Sequence, residues 1–260
     1  MQAVSLPASA GWQWIEQGWR LFKRQPMALF SWAMFVTLIL IFATITAPIG
    51  PIIFISLMPA ITFITLSITR HVQAGRKLVP SFWIEPLKQP GLFKKLMQLG
   101  ALYVVICLSA GLIVFLPFSG ELSEAMQVVA NTQDATPLME AMRTPLMLFA
   151  LLYFLLAALF WYSPILIGWH GTGITQALFF SAIACWRNKW AFVVYGVAWA
   201  GIFFGVDLII GVLVSIGIPL DIAATLQVPV NIVIGSVLYA SFYPTYTSVF
   251  GVVPSTSLPN

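Results

Sequence analysis

The chain has 260 residues, of which 60% are hydrophobic and only 8% are charged, and its mean hydropathy is +0.95. Soluble domains are about 45–50% apolar and about 25% charged, so a water-soluble fold could not bury this much apolar surface. The net charge of +4 does not indicate a nucleic-acid partner, because charge that sets membrane topology accounts for it.

The first predicted element is an amphipathic helix over residues 9–24. Its apolar side recurs at helical spacing through Trp12, Ile15, Trp19 and Phe22. On the polar side, Glu16 and Arg20 form a favourable i, i+4 pair. A Trp-rich amphipathic segment with a basic flank, here Lys23 and Arg24, is typical of a helix that lies flat in the membrane interface.

Six long apolar segments follow, each close to the roughly 20 residues that a helix needs to cross a bilayer. The predicted transmembrane helices cover residues 27–47, 52–69, 96–117, 145–168, 190–216 and 229–250. Their apolar runs are continuous rather than alternating, which favours helices over transmembrane strands. Residues 120–131 are predicted as a short helix, and residues 174–186, too short to cross, as an interfacial or partly buried one. The predicted fold class is therefore all-α, a polytopic membrane protein whose six spans form three hairpins.

The distribution of Lys and Arg predicts the orientation of these spans. Eleven of the twelve Lys and Arg residues lie before the first span, between the second and third, or between the fourth and fifth. Only Arg143, in an otherwise acidic loop over residues 119–144, falls on the other side. Cytoplasmic loops carry the Lys and Arg excess, so both termini are predicted to be cytoplasmic.

The chain also reads as three copies of one unit, each an interfacial aromatic or basic segment followed by a helical hairpin. Every even-numbered span carries a proline preceded by a serine one to three residues earlier, at Pro59, Pro164 and Pro244. Such prolines kink transmembrane helices and free carbonyls that neighbours must satisfy. The alternative explanation is ordinary membrane composition, in which prolines and interfacial aromatics are common.

Three features of the sequence resemble a known family. They are the Trp-Gln-Trp-Ile-Glu-Gln-Gly-Trp-Arg-Leu-Phe segment at residues 12–22, the Phe- and Pro-rich basic loop and the six kinked spans. Together they resemble an uncharacterised family of proteobacterial inner-membrane proteins. That family belongs to a broad group resembling the membrane domain of some glycerophosphodiester phosphodiesterases. The resemblance covers nearly the whole chain and implies an inner-membrane location and this fold, but no reaction.

An ionisable residue inside the hydrocarbon is the best functional clue in such a sequence, and Asp207 in the fifth span is the clear case. It shares one helical stripe with small residues, which mark faces where transmembrane helices approach closely; these are Gly196, Ala200 and Gly211. Asp207 is therefore predicted to point into the bundle. Ser236 and Tyr239 of the sixth span reach a comparable depth and are candidate hydrogen-bond donors to its carboxyl group.

No catalytic, cofactor-binding or metal-binding motif is present in the sequence, so we expect no enzyme activity, cofactor or metal. The expected role is a non-catalytic protein that organises membrane lipids or partner proteins. Basic side chains suited to anionic headgroups are Arg20, Lys23, Arg24, Lys94, Lys95, Arg187 and Lys189. The alternative is a transporter of a small molecule or lipid that uses a site near Asp207. The sequence leaves protein partners and the oligomeric state open.

Overall fold

The structure is a computed structural model that describes residues 3–251. Within that range it is helical and contains no strand. Its helices are α1 (Ala10–Arg24), α2 (Pro26–Ile45), α3 (Ile49–Gln73), α4 (Leu92–Phe115), α5 (Ser119–Thr132), α6 (Thr136–Phe160), α7 (Ser163–His170), α8 (Ile174–Arg187), α9 (Lys189–Ser215) and α10 (Leu220–Phe250). Residues 252–260, which follow the predicted sixth span, lie outside the described residues.

Six helical segments of the described chain are long and apolar enough to cross a membrane. They are Pro26–Ile45, Ile49–Gln73, Leu92–Thr132, Thr136–His170, Lys189–Ser215 and Leu220–Phe250. This confirms the predicted all-α fold with six spans. The third segment has 41 residues and would measure roughly 60 Å at about 1.5 Å per residue. Because the hydrocarbon core is about 30 Å thick, we expect α5 and the adjoining part of α6, which pack against each other, to extend beyond it as a helical hairpin.

The sixth span begins earlier than predicted. We expected it to start at residue 229, but α10 begins at Leu220 and includes Pro229 in its interior. Asp221 lies in the first turn of α10, where a negative charge interacts favourably with the helix dipole. The first turns of this helix therefore lie at the same level as the end of α9.

The first helix, α1, is packed into the bundle, mainly against α10 and α9. Trp14 is only 1% exposed, and its Nε1 donates a hydrogen bond to Ser248 Oγ at 2.8 Å. At Gly18 the backbones of α1 and α10 come so close that an added Cβ would lie 2.6 Å from Ser241 Cβ. Of the predicted apolar stripe, Ile15 and Phe22 are buried, whereas Trp12 and Trp19 are exposed. One stripe therefore splits between the protein core and the outer surface.

The fourth span is broken where the Ser-Pro motif was predicted to distort it. The helix α6 ends at Phe160, and α7 begins at Ser163, with Pro164 in its first turn. The Tyr162 backbone N–H donates to Ser181 Oγ at 3.0 Å, and the same hydroxyl donates to Ala158 O at 2.8 Å. Thus α8 supplies the side chain that satisfies the broken backbone. The other two prolines, Pro59 and Pro244, are buried inside continuous helices.

Candidate functional site

The basic segments of the chain gather at one end of the bundle. Gln25 joins the end of α1 to the α3–α4 connection, since its Nε2 donates to Arg76 O at 2.6 Å and its Oε1 accepts from Leu78 N at 2.9 Å. Asn188, between α8 and α9, donates to Val4 O and accepts from Leu6 N, both at 2.9 Å. Gln25 follows Arg24, and Asn188 lies between Arg187 and Lys189. Their hydrogen bonds therefore place both basic clusters at the same end of the bundle.

All seven side chains predicted to contact anionic headgroups are exposed at the surface: Arg20, Lys23, Arg24, Lys94, Lys95, Arg187 and Lys189. Two of the lysines lie over exposed tryptophan rings, with Lys23 Nζ 5.8 Å from the Trp19 centroid and Lys189 Nζ 4.5 Å from that of Trp186. Paired Trp and Lys side chains of this kind suit the interface between hydrocarbon and headgroups. Whether they contact lipid stays a prediction.

A groove lies at this end of the bundle, between α1, the last turn of α3 and the last turns of α10. Its volume is about 200 Å³. The polar side chains among its lining residues are Gln17, Arg20, Arg24, Gln73, Tyr243 and Thr247. The predicted i, i+4 pair is confirmed on its rim, where Arg20 Nη2 and Glu16 Oε1 are 2.5 Å apart. Arg24 Nη1 donates to Gln73 O at 3.1 Å and thereby links α1 to the end of α3.

A second, smaller cavity of about 140 Å³ lies between the start of α4 and the end of α7. It is lined in part by Lys95 of α4 and by Gly168 and Gly171 at the end of α7. Of the seven predicted lipid contacts, Arg20 and Arg24 line the groove, and Lys95 lines the second cavity. The other four lie outside both cavities.

Next to the groove, an arginine and several aromatic rings form a buried cluster that the sequence analysis missed. Arg70 of α3 is only 8% exposed, and its guanidinium lies 5.0 Å from the ring centroid of Trp169. Trp169 lies 5.1 Å from the Tyr246 ring and 6.3 Å from the Tyr243 ring. His170 Nε2 and the Tyr246 hydroxyl are 2.5 Å apart. The cluster therefore joins α3, α7 and α10, the second halves of the three hairpins.

The sequence offered one signal for this cluster. Arg70 and Phe63 are seven residues apart, which places them on one face of a helix, and Phe63 is completely buried. The predicted second span ends at residue 69, which would place Arg70 in the loop that follows. The structure instead continues α3 through Arg70 to Gln73 and packs Arg70 against Trp169, which a single sequence cannot pair with it.

The structure gives Asp207 a different environment from the one predicted. Asp207 is exposed, and its Oδ1 accepts a hydrogen bond from Gln227 Nε2 at 2.7 Å. Ser236 Oγ donates instead to Ile232 O in its own helix. The described hydrogen bond of Asp207 is therefore to Gln227 rather than to the candidate donors Ser236 and Tyr239. Gln227 lies before the predicted sixth span, which starts at residue 229.

The small-residue stripe also failed to predict which face of α9 is buried. The buried residues of α9 are Ala191, Tyr195 and Trp199, and the Tyr195 hydroxyl lies 2.5 Å from Ser241 Oγ. In contrast, a Cβ added at Gly196 or Gly211 would meet nothing within 4 Å. Aromatic packing in the basic-side half of α9 therefore sets its rotation, and Asp207 lies on the outer surface.

Together these features define a multi-pass helical membrane protein with one basic, aromatic end. A probable inner membrane protein of Burkholderia thailandensis is 31% identical to this chain over 266 residues, spanning 100% of this chain and 98% of that protein. The chain belongs to the same family of inner-membrane proteins, which confirms the predicted membership and location. No family model and no solved structure matches the chain. The wider resemblance to the membrane domain of phosphodiesterases stays a prediction.

Proposed function

We propose that this inner-membrane protein is non-catalytic and organises membrane lipids through contacts between its basic end and anionic headgroups. The observation that carries the proposal is the set of seven exposed Lys and Arg side chains around one end of the bundle, two of them stacked on exposed tryptophans. Each basic residue near an anionic surface contributes about 1 kcal/mol of attraction. Seven of them together favour a persistent shell of anionic lipid.

The proposed orientation places this basic end in the cytoplasm, together with both termini. The described chain supports a common side for the two ends, because Val4 N donates to Val249 O at 2.9 Å. The positive-inside rule then assigns that side to the cytoplasm. The projecting α5–α6 hairpin, which carries the acidic residues of the opposite loop, would extend into the periplasm.

The proposal is tested by measuring which lipids remain with the purified protein. The protein is reconstituted in nanodiscs that contain equal amounts of phosphatidylglycerol and phosphatidylcholine, and the lipids released with it are quantified by native mass spectrometry. We expect phosphatidylglycerol to be enriched around the wild type and the enrichment to fall as salt rises, because exposed charges are screened. Equal amounts of both lipids at low salt would overturn the proposal.

Transport is the second candidate function, and the Asp207–Gln227 pair is the observation that favours it. Polar side chains within spans often mark a substrate or ion pathway. Against this, Asp207 is exposed at the outer surface, and it lines neither of the two cavities described above. The same mass spectra discriminate the two functions, since a bound solute at one copy per chain would favour transport over lipid organisation.

A further inference from the structure

The groove between α1, α3 and α10 has the chemistry of a site for one phosphate group. Gln17, Arg20 and Arg24 follow one another at i, i+3 and i+7, so all three line the same face of α1. The other two helices contribute Gln73, Tyr243 and Thr247 to the lining, and the Thr247 hydroxyl donates within α10 to Tyr243 O at 3.2 Å. None of the described lining residues is a carboxylate. An anion that can accept several hydrogen bonds is therefore the complementary ligand.

The two arginines keep donors available for such a ligand. A guanidinium carries five N–H groups, whereas Arg24 uses Nη1 to reach Gln73 O and Arg20 pairs through Nη2 with the exposed Glu16 carboxylate. Arginine binds phosphate oxygens through two parallel N–H groups, which makes it the preferred partner of this group. The arginine side chains are thus tethered at one nitrogen each and can present the others to the groove.

The size and position of the groove fit a headgroup rather than a single bound water. A water needs only about 10–15 Å³ of such volume, and the groove offers about 200 Å³. It lies beside Trp19 and Lys23, the exposed pair suited to the interface. Leu21 and Pro244 add apolar contacts to its lining, which suits the glycerol end of a phospholipid.

We propose that this groove binds the phosphate of one anionic phospholipid headgroup, with Arg20 and Arg24 holding its oxygens. The proposal rests on the proposed function and adds a single defined site to a diffuse lipid shell. A soluble phosphate or phosphoester would share the same chemistry, so the experiment below separates the two sources.

The test compares two double variants that remove the same charge. R20Q/R24Q removes both groove arginines, and R187Q/K189Q removes two exposed cations of the same end that lie outside the groove. Phosphatidylglycerol is titrated into phosphatidylcholine nanodiscs, and the chain with one bound anionic lipid is followed by native mass spectrometry. We expect the wild type and R187Q/K189Q to retain one tightly bound phosphatidylglycerol. R20Q/R24Q should bind it about 100-fold more weakly, because it loses two charge-assisted contacts.

A single variant guards against misfolding in R20Q/R24Q, since Arg24 also links α1 to α3. Arg20 makes its described contact only with the exposed Glu16, so R20Q should fold normally and weaken the tight lipid about tenfold. Equal lipid retention by R20Q and wild type would overturn the groove site.

The remaining outcomes separate the groove from the proposed function and the lipid from a soluble anion. Enrichment of phosphatidylglycerol without any one-to-one species would overturn the groove site and leave the lipid-organising function standing. Absence of any enrichment would overturn both. If millimolar inorganic phosphate displaces the tight lipid from the wild type and binds alone with equal affinity, the lipid assignment is overturned.

Discussion

Asp207 and Gln227 form a hydrogen-bonded pair that joins α9 to α10 near the end opposite the basic face. Each residue lies roughly two turns from the loop between the two helices, counted along a helix that rises about 1.5 Å per residue. Hydrogen bonds between transmembrane helices contribute on average about 0.6 kcal/mol and at most about 1.7 kcal/mol. The pair therefore holds one hairpin together weakly, and α9 and α10 are also joined in the basic-side half by the hydrogen bond between Tyr195 and Ser241.

We predict that Asp207→Asn leaves the free energy of unfolding close to that of the wild type, because the amide oxygen can still accept from Gln227. Asp207→Leu should lower it by about 0.6–1.7 kcal/mol, measured by denaturation in detergent. A double-mutant cycle with Gln227→Leu isolates the pair, since its coupling energy should equal that loss. A coupling energy of zero would show that the two side chains do not interact. If Asp207→Asn folds normally but abolishes a cellular phenotype, a purely structural role for Asp207 is wrong.

For individual residues, the sequence predicted which ones are polar within the spans but not what they contact. Asp207 stood out because a carboxyl group inside a span is rare. Its partner Gln227 did not, since it lies before residue 229, where the predicted sixth span starts. The packing of Arg70 on Trp169 joins segments about 100 residues apart in the chain, and no local pattern encodes such a contact.

The helix break at residues 161–162 is the element that depends most clearly on a single side chain. Ser181 is fully buried and both accepts from Tyr162 N and donates to Ala158 O. We predict that Ser181→Ala lowers the free energy of unfolding by about 1–3 kcal/mol, because it leaves a buried backbone N–H without its partner. Thermal denaturation in detergent measures the change.

Ser31→Ala is the matched control for Ser181→Ala. Ser31 Oγ donates to a backbone carbonyl, Met27 O, within its own helix. This bond does not supply the acceptor for a backbone N–H as Ser181 does, so its loss should change the melting temperature little. Equal melting temperatures for Ser181→Ala and the wild type would show that the break is satisfied by other groups.

The first helix offers a second test at the level of elements. An added methyl group at Gly18 would overlap Ser241, and overpacking of this kind costs about 1–3 kcal/mol. We predict that Gly18→Ala lowers the melting temperature in detergent, whereas Gly196→Ala, where the new Cβ meets nothing within 4 Å, leaves it unchanged. Equal effects of the two substitutions would mean that α1 is not held against α10 in solution.

The elements themselves were largely predictable because hydropathy reports directly on transfer into lipid. All six spans, α1 and α8 occur where the sequence placed them, with ends shifted by a few residues for most. The larger errors have a physical cause. The fourth and sixth spans start at Thr136 and Leu220 rather than at residues 145 and 229, because a hydropathy pattern marks where lipid contact ends rather than where a helix ends. Likewise, an amphipathic pattern in α1 cannot distinguish burial against protein from burial in the interface.

Considered as a whole, the molecule is asymmetric along the membrane normal. One end carries the basic clusters, the two cavities and the buried Arg70 cluster, and there α1, α3, α7 and α10 pack closely. At the other end α9 and the start of α10 are largely exposed, and the α5–α6 hairpin projects. The tightly packed end is therefore the one at which the proposed lipid contacts and the proposed phosphate site lie.

The orientation of that end is the last prediction, and it decides which leaflet supplies the lipid. Residue 85 lies in the α3–α4 connection at the basic end, and residue 130 lies in the projecting α5. Because Lys and Arg are retained on the cytoplasmic side during insertion, reporter fusions at residue 85 and at the C-terminus should be cytoplasmic, and a fusion at residue 130 periplasmic. A reporter active only in the periplasm and one fluorescent only in the cytoplasm give opposite signals at each position and control for expression. A periplasmic signal at residue 85 would reverse the orientation and place the groove in the outer leaflet of the inner membrane.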